Sequence, residues 1–274
     1  MTSPGTRSRG AIAAELLDRI RGGHPLIHHI TNWVVMNDTA NATLALGALP
    51  VMAHAREEVV EMVGAAGALV LNPGTLFPEL VEAMVMAGKR ANERGVPVVY
   101  DPVGVGATRY RNETAERLLK ELRIDVVRGN SGEVGALAGA GGKVRGVESV
   151  EGVADPRSVA RELAARQHTV IAITGKRDIL SDGTRVLGVD NGHEMLKTVT
   201  GTGCMATTVV AIFCAVETDR LVAAASALAC YGLAAERAAR GTRGPGSFRA
   251  SLLDELYHMT PALLEKGARV VDLT

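Results

Sequence analysis

The chain has 274 residues and a mass of 28.7 kDa, enough to bury a sizeable core without disulfide or metal staples. Lys plus Arg number 30 and Asp plus Glu number 30, a zero net charge that argues against a dedicated nucleic-acid or polybasic membrane binder. Hydrophobic residues at 47% and charged residues at 22% exclude wholesale disorder, and 3% aromatics leave no stacking platform for single-stranded nucleic acid. Cys204, Cys214 and Cys230 show no zinc or disulfide spacing, the usage of a reduced cytoplasmic chain.

Residues 1–10 are polar and read as a mobile segment. They lack the apolar stretch of a signal peptide. Residues 11–274 read as one domain without linker or internal repeat. The pattern predicts a helix over 11–21, stopped by Gly22-Gly23, then a strand at 25–30. A helix over 34–47, a strand at 50–53 and a helix over 56–66 follow. Next come strand 68–72, helix 77–94, strand 96–101, helix 113–122, strand 124–130 and a short helix over 131–138. Residues 139–152 are glycine-rich and read as a long loop. Helix 156–166 and strand 169–175 precede hairpin chemistry around Ser181-Asp182-Gly183. From Gly203 onward the pattern is mostly helical. The uncharged run Thr198–Val216 is poor in large apolar residues and does not read as a membrane span.

Strands alternating with helices predict an α/β fold, a largely parallel sheet with helices on both faces. Continuous apolar strands fit burial on both sides, and the 178–189 hairpin suggests an antiparallel addition at one edge.

The strands end in polar or glycine-bearing residues: His28 to Asn32, Asn72-Pro73-Gly74, Asp101 to Gly104, Arg128-Gly129-Asn130 and Thr174-Gly175. Ligands of open α/β sheets bind outside the carboxyl ends of the strands. Loops are polar and glycine-rich for turn reasons alone, but that explains five such ends less well than one. Thr200-Gly201-Thr202-Gly203-Cys204 opens a helix with free N–H groups, an anion site for a phosphate or developing oxyanion. It is neither a Walker loop nor a dinucleotide fingerprint.

Cys204 sits in the first helical turn, where the dipole biases a thiol toward thiolate. A base role beside the transferring phosphate and a packing role stand as alternatives, since a nearby phosphate pushes the other way. Asp101 and Glu133 suit a Mg²⁺ held through waters, or serve as loop caps. Arg128 suits phosphate, or a salt bridge to a loop acid. His28 and His29 are adjacent, face opposite sides of a strand and do not readily share a metal.

The stretches HHITNWVVMNDTANATLALGALPVM, ALVLNPGTL, VPVVYDPVGVGATRYR, VRGNSGEV, VIAITGKRD and VTGTGCMAT resemble, in order and spacing, hydroxyethylthiazole kinase of the ribokinase-like superfamily. The resemblance runs from about His28 to Met259. It implies ATP-dependent phosphorylation of 4-methyl-5-(2-hydroxyethyl)thiazole with Mg²⁺, for thiamine biosynthesis and salvage. It also implies a homotrimer with interfacial active sites. Met52, Gly201 and Asn32 match substrate-side positions, and Arg128 and Thr174 match nucleotide-binding ones. Gly201, Thr202 and Gly203 match the anion turn, and Cys204 falls at the catalytic position. Asp101 and Glu133 look like the phosphate- and magnesium-side acids. The stretch Asn130-Ser131-Gly132-Glu133 departs locally from the family pattern while keeping the Glu, and Trp33 is an unusual residue at the pocket rim. A pyrimidine-methanol or pyridoxal kinase, an ADP-dependent dehydratase of the same fold, and a non-catalytic binding oligomer are the rival readings.

Overall fold

The computed structural model describes residues 7–139, 143–145, 148–151 and 155–274. In chain order the strands are β1 (Leu26–Ile30), β2 (Leu49–Val51), β3 (Ala68–Leu71), β4 (Val98–Tyr100), β5 (Val126–Asn130), β6 (Lys143–Arg145), β7 (Glu148–Glu151), β8 (Val170–Thr174), β9 (Asp178–Ser181), β10 (Val186–Val189) and β11 (Val270–Asp272). The helices are α1 (Arg9–Gly23), α2 (Met36–Ala45), α3 (Val59–Gly64), α4 (Pro78–Arg94), α5 (Arg109–Glu121), α6 (Ser131–Ala138), α7 (Pro156–Gln167), α8 (Thr202–Cys214), α9 (Arg220–Ala238), α10 (Pro245–Tyr257) and α11 (Pro261–Gly267).

Nine strands form one sheet in the order β11-β10-β9-β8-β5-β4-β3-β1-β2. From β2 to β8 every neighbouring pair is parallel. From β8 to β11 every pair is antiparallel, so the expected hairpin is present and is extended by β11. Successive side chains of a strand face opposite sides, and the core divides accordingly. Val70, Val99, Val126 and Ala172 join the apolar cluster beneath α1, α8 and α9. Leu69, Leu71, Val98, Tyr100, Val127 and Ile171 join the cluster beneath α4, α5 and α7. Burial on both faces is why these strands are apolar throughout.

Several expected boundaries move. α1 begins at Arg9, because the Ser8 hydroxyl accepts from the Ala11 N–H at 3.1 Å. Of the expected 1–10 segment, Arg9 and Gly10 thus belong to α1, and residues 1–6 lie outside the described residues. The Gly22-Gly23 pair does not stop α1; His24 does, in the left-handed conformation at φ 44°. α5 starts at Arg109, four positions before the expected 113, with the Thr108 side chain as its cap. The expected 139–152 loop holds the antiparallel pair β6–β7; residues 140–142, 146–147 and 152 lie outside the described ones. Among the described residues one helix, α9, is long and apolar enough to cross a membrane, and it lies buried in the core; Thr198–Val216, not expected to span one, does not pass the same test.

Candidate active site

All five polar strand ends lie at the carboxyl side of the parallel strands, where the helix start of α8 meets them. Gly201 adopts φ +86°, and a Cβ there would approach Val35 Cγ1 to 2.9 Å. Only glycine takes this turn without strain. The turn is fixed from behind: the Thr202 hydroxyl donates to the Leu196 carbonyl at 2.6 Å and the Tyr231 hydroxyl donates to the Thr202 carbonyl at 2.8 Å.

Asn32, Asn72, Asp101 and Cys204 form one hydrogen-bonded line. Asn32 Nδ2 donates to Asn72 Oδ1 at 2.8 Å and to Cys204 Sγ at 3.7 Å. Asn72 Nδ2 donates to Asp101 Oδ2 at 3.0 Å, and the Thr207 hydroxyl on α8 donates to the same oxygen at 2.8 Å. Asp101 is buried, and desolvation raises its pKa against the pull of Arg128, Thr207 and Asn72.

Glu133 has two duties. With Asn130 it forms the capping box of α6: Glu133 N–H donates to Asn130 Oδ1 at 2.9 Å, and Glu133 Oε2 accepts from Asn130 N–H at 3.0 Å. Its Oε1 accepts from the Gly104 N–H at 3.0 Å, which ties the β4 and β5 loops together. Burial, then the charge of Asp101, pushes its carboxyl up to about 7. Desolvation raises both carboxyls and the charge of Asp101 raises Glu133 further, an effect that a cation held beside the pair would offset.

Arg128 crosses from β5 to β8, donating from Nη2 to the Thr174 hydroxyl at 2.7 Å, while its Nη1 faces Gly203. It forms no ion pair among the described residues. Its Nε is buried without a partner. Asp178, one turn further on, accepts from the Gly175 N–H at 2.9 Å.

The Cys204 thiol lies in the first turn of α8, where the dipole favours thiolate. Burial, then the Asp101 charge, pushes it up to about 12. Desolvation thus opposes the dipole of α8 at this thiol and favours its protonated form. His28 and His29 are both fully buried. His28 Nε2–H donates to the Ala53 carbonyl at 2.7 Å, and burial lowers His29 to about 3; both are neutral core residues. Met52 follows β2 on the same edge, half-buried, its carbonyl accepting from His54 Nδ1 at 3.0 Å. Trp33 is 63% exposed beside Asn32 and packs on Phe77 at a ring separation of 5.4 Å.

Sequence reasoning did not single out Asn72, Thr207, Arg111, His54 or Tyr231 as site residues. Asn72 had a signal, a polar residue at a strand end. The others lie on helices or in a loop and are brought in only by the fold.

The fold is that of the ribokinase-like kinases. A solved pyridoxal kinase from Bacillus subtilis, in an ADP complex, superposes with a TM-score of 0.59 at 16% identity, covering 78% of this chain and 92% of that one. A solved hydroxyethylthiazole kinase protein from Pyrococcus horikoshii superposes with a TM-score of 0.88 at 44% identity, covering 96% of this chain and 99% of that one. A hydroxyethylthiazole kinase from Desulforudis audaxviator is 67% identical over 94% of each chain. The profile of the hydroxyethylthiazole kinase family matches residues 17–262, and the chain belongs to that family.

Proposed function

We propose that this chain phosphorylates the primary alcohol of 4-methyl-5-(2-hydroxyethyl)thiazole with ATP, in thiamine biosynthesis and salvage. Family membership supports the substrate. The observation that carries the chemistry is the meeting of the Gly201–Cys204 helix start with Arg128, whose Nη1 faces Gly203. A dipole end and a guanidinium aimed at one spot suit a transferring phosphoryl group.

Phosphoryl transfer asks the protein mainly for positioning and charge neutralisation. Arg128 and Thr174 hold the nucleotide phosphates. The N–H groups of residues 201–204 receive charge as it shifts onto the transferring oxygens. Met52, Asn32 and Gly201 hold the thiazole. Asp101 and Glu133, two buried hard-oxygen donors, fit Mg²⁺, which takes one or two carboxylates and fills its shell with water and substrate phosphates. When bound there it neutralises phosphate charge. Cys204 sits beside the substrate hydroxyl as a neutral thiol. A loose transition state draws the alcohol proton off late, so an ionised base is not needed to start the reaction.

Three further parts belong to the proposal. Residues 11–274 act as one domain, supported by a single sheet that takes strands from residue 26 to residue 272. The assembly is a homotrimer with interfacial sites; Trp33, Val34, Leu44 and Leu49, each 47% exposed or more, supply apolar surface, Trp33 and Val34 next to Asn32. The compartment is the cytoplasm, in keeping with three free cysteines.

The test is ATP consumption with Mg²⁺ and a panel of alcohols: hydroxyethylthiazole, the pyrimidine methanol of thiamine synthesis, and pyridoxal. Turnover with hydroxyethylthiazole alone is expected. Turnover with another alcohol refutes the substrate. Thiazole binding without turnover by any panel member refutes catalysis.

A further inference from the structure

Arg111 stands on α5, apart from the strand-end loops, and hydrogen-bonds to neither carboxylate. Its Nη1 donates to the carbonyls of Pro73 at 3.1 Å and Val103 at 2.8 Å, and its Nη2 donates to the carbonyl of Gly74 at 2.8 Å. Two of these carbonyls belong to peptide groups whose N–H is also committed. The Pro73 carbonyl shares its peptide with the Gly74 N–H, which donates to Asn72 Oδ1 at 3.1 Å. Asn72 in turn donates to Asp101 at 3.0 Å. The Val103 carbonyl shares its peptide with the Gly104 N–H, which donates to Glu133 at 3.0 Å.

One guanidinium thus grips three peptide planes, and two of them each lead to one carboxylate. A peptide group is rigid, so fixing its carbonyl fixes the direction of its N–H. Hydrogen bonds in series also polarise one another. The stem of Arg111 lies against Gly104: at φ +75°, a Cβ there would stand 3.0 Å from Arg111 Cδ. A lysine cannot replace this fork, because its compact ammonium lacks the planar spread of donors.

We propose that Arg111 is the positioning residue of the carboxylate pair, aiming Asp101 and Glu133 at a divalent cation through the 73–74 and 103–104 peptides. The inference rests on the reading of that pair as metal-side acids.

The experiment uses the full chain with Mn²⁺ as the probe, in the presence of ADP, following free Mn²⁺ by electron paramagnetic resonance. Arg111→Lys and Arg111→Ala are expected to weaken Mn²⁺ binding by about 10–100-fold, the usual cost of losing a group that orients a metal ligand. kcat falls with it. Thiazole affinity, read from the fluorescence of the chain's single Trp, stays unchanged. Added guanidinium ion restores Mn²⁺ binding to Arg111→Ala. Unchanged Mn²⁺ affinity in both variants overturns the inference. So does a parallel loss of thiazole and Mn²⁺ binding, which marks a general loop staple. Asp101→Asn and Glu133→Gln separate the two levels. If they abolish Mn²⁺ binding while the Arg111 variants do not, only the inference fails; if they too leave it unchanged, the reading of the pair fails.

Discussion

A Cβ placed on Gly203 would stand 3.0 Å from Nη1 of Arg128. Arg128 does not swing away freely, because its Nη2 is held by the Thr174 hydroxyl at 2.7 Å. Gly203→Ala therefore displaces the guanidinium while the fold, open elsewhere around this position, is kept. We expect KM for ATP to rise by about tenfold, with a smaller change in KM for thiazole, the pattern of lost nucleotide binding. Arg128→Ala should show the same split more strongly. Steady-state kinetics with each substrate varied in turn checks both, and equal effects on the two KM values would contradict the nucleotide assignment.

With its thiol pushed up to about 12, Cys204 should react slowly with iodoacetamide at pH 7 to 8, since the thiolate is the nucleophile. Its alkylation rate should still be climbing at pH 10. Cys204→Ala should keep kcat within about tenfold of the parent chain, short of the roughly 10²–10⁴-fold that a general base contributes. A plateau in alkylation below pH 9, or a loss well beyond tenfold, would return the base role to this residue.

Parts of this site are readable from residues alone. The capping box of α6 is visible as Asn130 followed three positions later by Glu133, and the helix start at Gly201-Thr202-Gly203 is visible from its glycines. The crossed readings have physical causes. A dipole argument for Cys204 uses only its place in a helix, whereas the burial and charge that push its thiol up come with Asn32, Asn72 and Asp101, from strand ends far off in sequence. Arg111 looks like an ordinary charged residue of an amphipathic helix, and only the convergence of two loops gives its guanidinium three acceptors. β11 is three residues long and exists because β10 offers an open edge. Pairing partners are tertiary information, and VVD carries no pattern of its own.

Asp178 makes a prediction for pH. Its carboxyl, ordinarily near 3.8, is pushed up to about 7, chiefly by burial. Between those values the folded chain keeps a proton that the unfolded chain has released. Stability should therefore fall as pH rises from about 4 to about 7 and level off above. The upper bound of this contribution is about 4 kcal/mol. Asp178→Asn keeps the acceptor for the Gly175 N–H but never ionises. It should match the parent chain near pH 4 and exceed it in Tm at pH 8. Glu133, raised to about 7 as well, leaves part of the slope in place. Equal Tm differences at both pH values in ligand-free protein would contradict the assignment.

Gly10 lies where α1 crosses the end of α11, and a Cβ there would fall 2.2 Å from the Glu265 carbonyl oxygen. The obstacle is backbone, so one of the two helices must shift. Gly10→Ala should cost about 1–3 kcal/mol, the usual cost of overpacking, despite the better helix propensity of alanine. Urea unfolding checks this, and a stability equal to or above the parent would refute the close approach.

The line from Cys204 through Asn32 and Asn72 to Asp101 is built of carboxamides in its middle. A carboxamide neither takes up nor releases a proton in the physiological range. This line therefore conducts orientation and not protons: it is an insulator between thiol and carboxylate. The hydrogen lost by the substrate alcohol thus has no route along this line to Asp101.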